Sequence, residues 1–115
     1  MRIRKLKDKK GWEELINIFP NDNEIIIYKH SPICPLSHSV NLILKGWSKS
    51  QIQKKNKLKI FKINVILSRT LSGTIEKDLN IIHQSPQIIW LDKNMKVKYH
   101  ASHYDITEDE LNKHL

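Results

Sequence analysis

The run Ile25-Ile26-Ile27-Tyr28 constrains this chain most, because four consecutive apolar residues, three of them β-branched, leave no polar face to turn toward water. Such a short run reads as a strand covered on both sides, which requires a sheet with helices on each face. Shortly after it comes Cys34, the single cysteine of the chain, followed by Pro35. Proline suits the first turn of a helix, where its missing N–H leaves no hydrogen bond unmade. Val40, Ile43, Leu44 and Trp47 then recur at helical spacing. Cys34 is therefore predicted at a strand-to-helix junction, on the N-terminus of a helix.

That position has chemical consequences. Free N–H groups and the positive end of the helix dipole favour a thiolate over a thiol and lower its pKa from about 8.5. Ser37 lies one turn further on, placed to donate a hydrogen bond to the sulfur, so the motif is C-x-x-S rather than C-x-x-C. The alternative is a buried cysteine packed as a small apolar side chain. Pro35 and the junction favour the reactive reading.

With 115 residues, the chain is expected to form one domain over 1–115. One cysteine excludes an internal disulfide. The sequence shows neither a secretory apolar core nor an apolar run near 18 residues, the length expected of a membrane span, so a cytoplasmic, reducing setting is expected. The net charge of +8 includes basic runs at Arg2-Ile3-Arg4-Lys5-Leu6-Lys7 and Lys54-Lys55-Asn56-Lys57. Arginine, the better fork for phosphate, occurs only three times, and no recognition motif or paired aromatic platform accompanies the charge, so no nucleic-acid partner is expected.

Met1 to Lys10 is polar apart from Ile3 and Leu6 and is either a short edge strand or loosely attached. Trp12, Leu15, Ile16 and Phe19 trace one helical face that stops at Pro20 and Asn21-Asp22-Asn23. Beyond the Cys34 helix, Ser48 to Lys57 loses its apolar face and reads as a solvated helix end or loop. Leu58 to Val65 is a strand, and Leu71, Ile75 and Leu79 mark the next helix. Gln87 to Leu91 and Lys96 to His100 form a hairpin around Asp92-Lys93-Asn94. Thr107 and Glu110 have capping-box spacing and open a last helix.

This order, with a cysteine at a helix start and a proline directly before the third strand, resembles the thioredoxin fold: an α/β domain with a central mixed four-stranded sheet flanked by helices. In that fold the proline, here Pro86, is cis. Three segments narrow the likeness: Lys29-His30-Ser31 with Cys34-Pro35-Leu36-Ser37, then His83-Gln84-Ser85-Pro86-Gln87, then His100-Ala101-Ser102-His103-Tyr104-Asp105-Ile106-Thr107. Together they resemble the signature segments of the monothiol bacilliredoxin family, thioredoxin-like proteins of the bacillithiol system. The likeness runs from about Trp12 to the C-terminus and includes Arg69-Thr70-Leu71-Ser72. Gln84, Tyr104 and Ile33 depart from it, standing where an acidic residue, tryptophan and a polar residue are usual.

The resemblance implies a thiol-disulfide oxidoreductase of redox homeostasis that strips bacillithiol, a cysteine-glucosamine-malate thiol, from S-bacillithiolated cytoplasmic proteins. It assigns Cys34 as nucleophile and Ser37 as its stabiliser. Ser85 would offer its backbone to an extended substrate beside Pro86. Because malate brings two carboxylates, Lys29, His30, His100 and His103 are candidate anion-binding residues at the cysteine end of the sheet. Bacillithiol is implied as co-substrate, with no bound cofactor and no metal; separately, no membrane partner and a monomer are expected. His100-x-x-His103 is the tightest histidine pair, but one cysteine with scattered histidines lacks zinc-site spacing. Two rivals remain. His30-x-x-x-Cys34 also suits an arsenate-reductase-like enzyme, although His38 stands where that chemistry wants arginine. The other is a non-catalytic thioredoxin-like binding module.

Overall fold

The computed structural model describes residues 3–18, 23–50 and 58–115. In chain order the elements are β1 (Ile3–Lys5), α1 (Lys9–Ile18), β2 (Ile25–His30), α2 (Pro35–Ser50), β3 (Lys59–Asn64), α3 (Arg69–Leu79), β4 (Gln87–Leu91), β5 (Val97–Ser102), a single 3-10 turn (His103–Asp105) and α4 (Glu108–Lys113). The strands form one mixed sheet in the order β1-β3-β2-β4-β5. β1 and β2 both run parallel to β3, whereas β4 is antiparallel to β2 and β5 to β4. The sheet thus has five strands rather than the expected four. The fifth is the N-terminal edge strand: Ile3 packs against the core and Lys5 pairs with Lys62.

The central position of β2 follows from its sequence. Ile25, Ile26, Ile27 and Tyr28 are all fully buried, and alternate residues face opposite layers. Ile26 and Tyr28 pack with Val40, Leu44, Trp47 and Leu111 of α2 and α4, whereas Ile25 and Ile27 pack with Trp12, Leu15, Leu71 and Ile75 of α1 and α3. Each of the three buried tryptophans finds an acceptor distant in sequence for its indole N–H: Trp12 bonds Asp78 at 2.9 Å, Trp47 bonds Asn112 at 2.9 Å and Trp90 bonds Glu24 at 2.8 Å. These bonds let large rings be buried without stranding a donor.

Local signals fix the ends. The Asp8 carboxylate accepts from the Gly11 N–H at 2.8 Å and opens α1, while the Thr107 hydroxyl accepts from the Glu110 N–H at 3.2 Å and opens α4. The expected face of α1 is present in Trp12, Leu15 and Ile16; Phe19, Pro20, Asn21 and Asp22 lie outside the described residues. So do residues 51–57 of the lysine-rich segment, although Ser48 to Ser50 still belong to α2. In the β4–β5 turn, Asp92 accepts from the N–H groups of Asn94 and Lys96, at 2.8 and 3.0 Å, and Met95 takes a positive φ of 63°. The second hairpin strand runs two residues past His100, to Ser102.

Leu44 is fully buried where α2 meets the sheet, so Leu44→Ala should cost about 2–5 kcal/mol in urea unfolding. A loss below about 0.5 kcal/mol would contradict this packing.

Candidate active site

The loops that follow β1, β2, β3 and β5, and the loop that precedes β4, all emerge at one end of the sheet. It is the carboxyl end of the parallel strands, where open α/β sheets place their ligands. Cys34 stands there in the β2–α2 loop. The Cys34 N–H donates to Ser31 O at 3.2 Å, closing a turn, and Cys34 O accepts the first helical bond of α2, from the His38 N–H at 3.1 Å. The thiol is half-buried.

Its pKa is lowered. The largest cause is the Ser37 backbone N–H; the Ser37 hydroxyl and the Leu36 N–H act in the same sense, while partial burial opposes them. Ser37 itself is fully buried, and its hydroxyl oxygen accepts from the Ser31 N–H at 3.2 Å. With its oxygen engaged by a donor, the hydroxyl proton remains for the sulfur.

Beneath Ser37 lies Tyr28, unassigned by sequence reasoning because it read only as part of an apolar run. Its hydroxyl donates to Ser37 O at 2.9 Å and stands 2.7 Å from Nδ1 of His30. A phenol has one proton. Since Ser37 O can only accept, His30 must donate through Nδ1, which leaves Nε2 as an acceptor in the neutral ring. The pKa of His30 is lowered by burial first, then by the charge of Lys62, with His38 and Lys45 adding to the effect and a hydrogen bond with the Ser37 backbone opposing it, so the neutral ring is favoured. The pKa of Tyr28 is raised, by burial and then by the charge at Cys34, so the phenol stays a donor.

The Ser85–Pro86 bond is cis. Pairing of Lys29 with Gln87 sets Pro86 level with His30 at the cysteine end, and Pro86 O accepts from the His103 N–H at 3.0 Å. His103 adopts a positive φ of 56°. The Ser85 hydroxyl is buried with no hydrogen-bond partner. The Gln87 side chain braces this loop by donating to Ile82 O at 2.9 Å.

Two of the candidate anion-binding residues sit elsewhere than expected. Lys29 is not on a basic surface: one residue along from Tyr28, it faces the α3 layer and is fully buried. Its Nζ donates to Ser72 O at 3.2 Å and lies 3.0 Å from His83 Nδ1. Burial pulls its pKa down to about 8 against the attraction of Glu76, and the Glu76 carboxylate accepts from the His83 N–H. This cluster, which no spacing rule connects, ties β2 to α3 and to the loop that carries Pro86. His100 is exposed, pairs with Ile89 and therefore shares the α1/α3 face, on the edge strand two strands away from β2. The structure thus gathers Cys34, Ser37 and His30, flanks them with Ser85, Pro86 and His103, and leaves Lys29 beneath and His100 to one side.

Solved structures with this architecture are thioredoxin-like. A protein described as having a thioredoxin fold superposes with a TM-score of 0.82 at 23% identity, covering 97% of this chain and 92% of its own. Fasciola hepatica thioredoxin gives 0.73 at 14% identity, with 96% and 93% covered, and Schistosoma mansoni thioredoxin 0.71 at 14%, with 98% and 94%. Residues 4–111 match the family model described as Monothiol bacilliredoxin BrxC. The chain belongs to that family, and with it among the thiol oxidoreductases. Among the described residues, no helix is long and apolar enough to cross a membrane.

Two outcomes follow from this geometry. Ser37→Ala should raise the Cys34 pKa and slow its attack on a disulfide by no more than about tenfold, because one hydrogen bond contributes about 1 kcal/mol and the helix N–H groups remain. An unchanged thiolate titration by ultraviolet absorbance would remove Ser37 from the site. For Lys29, the folded protein releases its proton near pH 8 and the unfolded chain near its usual 10.5. The unfolded state therefore binds more protons between those values, and the residue's contribution to stability rises with pH. From about pH 8 to about pH 9.5, wild type should gain more stability in urea unfolding than Lys29→Met. Equal gains would mean that Lys29 is protonated throughout.

Proposed function

We propose that this chain is a cytoplasmic monothiol oxidoreductase that removes bacillithiol from proteins holding it as a mixed disulfide. The observation that carries the reading is a single, partly exposed cysteine with a lowered pKa at a helix N-terminus, in a chain of the monothiol bacilliredoxin family. A cysteine used only for packing has no need of a thiolate-stabilising hydroxyl and N–H groups. Ser37 occupies the position where a dithiol enzyme carries its second sulfur.

The Cys34 thiolate attacks the bacillithiol sulfur of the mixed disulfide. The new S–S bond joins Cys34 to bacillithiol, the old one breaks, and the substrate protein leaves as a thiolate that takes a proton from solvent. No cysteine of the chain is left to resolve the adduct. A second bacillithiol thiolate attacks its own kind on Cys34, bacillithiol disulfide leaves, and the Cys34 thiolate returns. In the complete cycle one free bacillithiol is consumed and the disulfide passes from the substrate protein to bacillithiol disulfide, from which an external reductase recovers bacillithiol. No bound cofactor takes part.

A protein substrate is supported by the surface around the cysteine. Ile33, Leu67, Ile82 and Tyr104 are each more than three-quarters exposed; the first three lie on loops and Tyr104 in the 3-10 turn, all at the cysteine end of the sheet. Exposed apolar side chains gathered at one end mark a contact surface. The backbone of Ser85, next to the cis bond, offers an extended segment an N–H and a C=O.

Mixing the protein with bacillithiol disulfide should give one adduct of bacillithiol mass on Cys34 by mass spectrometry, reversed by free bacillithiol. Cys34→Ser should lose exchange entirely while remaining folded, since a serine alkoxide is inaccessible at neutral pH. Equal reaction with glutathione disulfide would leave thiol exchange standing and remove the bacillithiol assignment. Turnover near wild type in Cys34→Ser would overturn the mechanism.

A further inference from the structure

β1 and the segment after it close one side of a cleft of about 590 Å³ beside the cysteine loop, lined among others by Lys5, Lys7, Lys62, His30, Pro32 and Asn64. Its size is that of a small-molecule site, about 300–1,000 Å³. Pro32 is two residues from Cys34, so the near wall stands within about 7 Å of the Cys34 Cα.

The charges in this cleft are arranged at a cost. Lys5 and Lys62 are direct register partners on adjacent strands, and like charges in that relation repel. Lys62 is half-buried; burial and the charges of Lys45 and Lys5 all push its pKa down. Its Nζ donates to Asn41 Oδ1 at 2.9 Å, a neutral partner. Among the described residues the three ion pairs are Lys9–Glu13, Lys98–Glu24 and Lys113–Glu110, so neither Lys5, Lys7 nor Lys62 has a carboxylate.

The backbone that carries these lysines is nevertheless held in place. Leu6 N–H donates to Lys62 O at 2.9 Å, and the Ser68 hydroxyl donates to Lys7 O at 2.7 Å, fastening the segment to β3 and to the start of α3. Asn64 Oδ1 accepts from the N–H groups of Ile66 and Leu67, leaving the Asn64 amide NH2 as a donor. Neutral His30 adds no charge but completes the wall.

We propose that this cleft is the anion subsite of the exchange reaction, in which Lys5, Lys7 and Lys62 take the acidic end of a low-molecular-weight thiol whose sulfur meets Cys34. The proposal rests on the thiol-exchange reading above and names the chemistry of the small thiol: its remote end carries one or more anionic groups, carboxylate or phosphate. The unrelieved repulsion between Lys5 and Lys62 is what such an anion would neutralise. The cleft also replaces buried Lys29 and outlying His100 as the place where charge is read.

The test compares rates of Cys34 attack on bacillithiol disulfide, coenzyme A disulfide and neutral hydroxyethyl disulfide. At low salt, wild type should prefer the anionic disulfides. The Lys5→Gln/Lys7→Gln double variant, changed only at exposed side chains, should lose about five- to tenfold of that preference, since two exposed charges contribute modestly. Lys62→Gln should do likewise, and the double variant carries the test if loss of the Asn41 bond disturbs folding. Lys49→Gln, near the far end of α2, should keep the wild-type ratio. A double variant with the same preference as Lys49→Gln would overturn the subsite. If the lysine variants lose preference for coenzyme A disulfide while bacillithiol disulfide fails to react with wild type, the subsite stands as a phosphate reader and the bacillithiol reading falls. If every variant keeps the wild-type preference for bacillithiol disulfide over the neutral disulfide, that reading stands and the subsite falls.

Discussion

The burial of β2 on both faces is the constraint on which the rest depends. Because successive side chains point to opposite layers, Tyr28 and His30 must go under α2, where they meet Ser37, and Lys29 must go under α3, where it meets Ser72 and His83. One strand thereby supports the cysteine helix on one side and the proline loop on the other. The apolar run before them fixes which residue goes where: a slip of one position would bring Lys29 beneath the thiolate helix and strand Tyr28 against α3.

Ser37 is the junction of the upper half. It receives the Tyr28 hydroxyl on its carbonyl and the Ser31 N–H on its hydroxyl, and its own N–H and hydroxyl stabilise the sulfur. A second thiol in that place would serve as an internal resolving group; here it is a buried serine, and Cys34 is the single cysteine of the chain. Exposed Ile33, Ile82 and Tyr104 and the cleft that holds Lys5, Lys7 and Lys62, with Leu67 in its lining, lie at the same end of the sheet as Cys34.

Local signals made much of this readable. The apolar run located β2, the helix-start cysteine located the candidate nucleophile and Ser37 lay one turn away, whereas the cis bond before Pro86 was implied only by the resemblance to the thioredoxin fold. Side-chain direction was less accessible. Lys29 and His30 are neighbours in a basic-looking segment, yet Lys29 is fully buried on the α3 side and His30 lies on the α2 side; the alternation Tyr28/His30 against Lys29 held that information, since period two assigns them to different faces. The cationic cleft could not be read from spacing, because Lys5 and Lys62 lie far apart in sequence and meet only through the pairing of β1 with β3. The opening strand was too short and too polar to declare its register.

The central claim is that folding lowers the pKa of Cys34. It is tested most directly by the pH dependence of Cys34 alkylation with a neutral reagent, measured on the native protein and on the same protein in denaturant. Native Cys34 should titrate at lower pH than unfolded Cys34 and react faster than it below neutral pH, because only the folded chain supplies the Ser37 and Leu36 donors. A native midpoint at or above that of the unfolded chain would show that the fold does not activate the thiol, and would contradict the account.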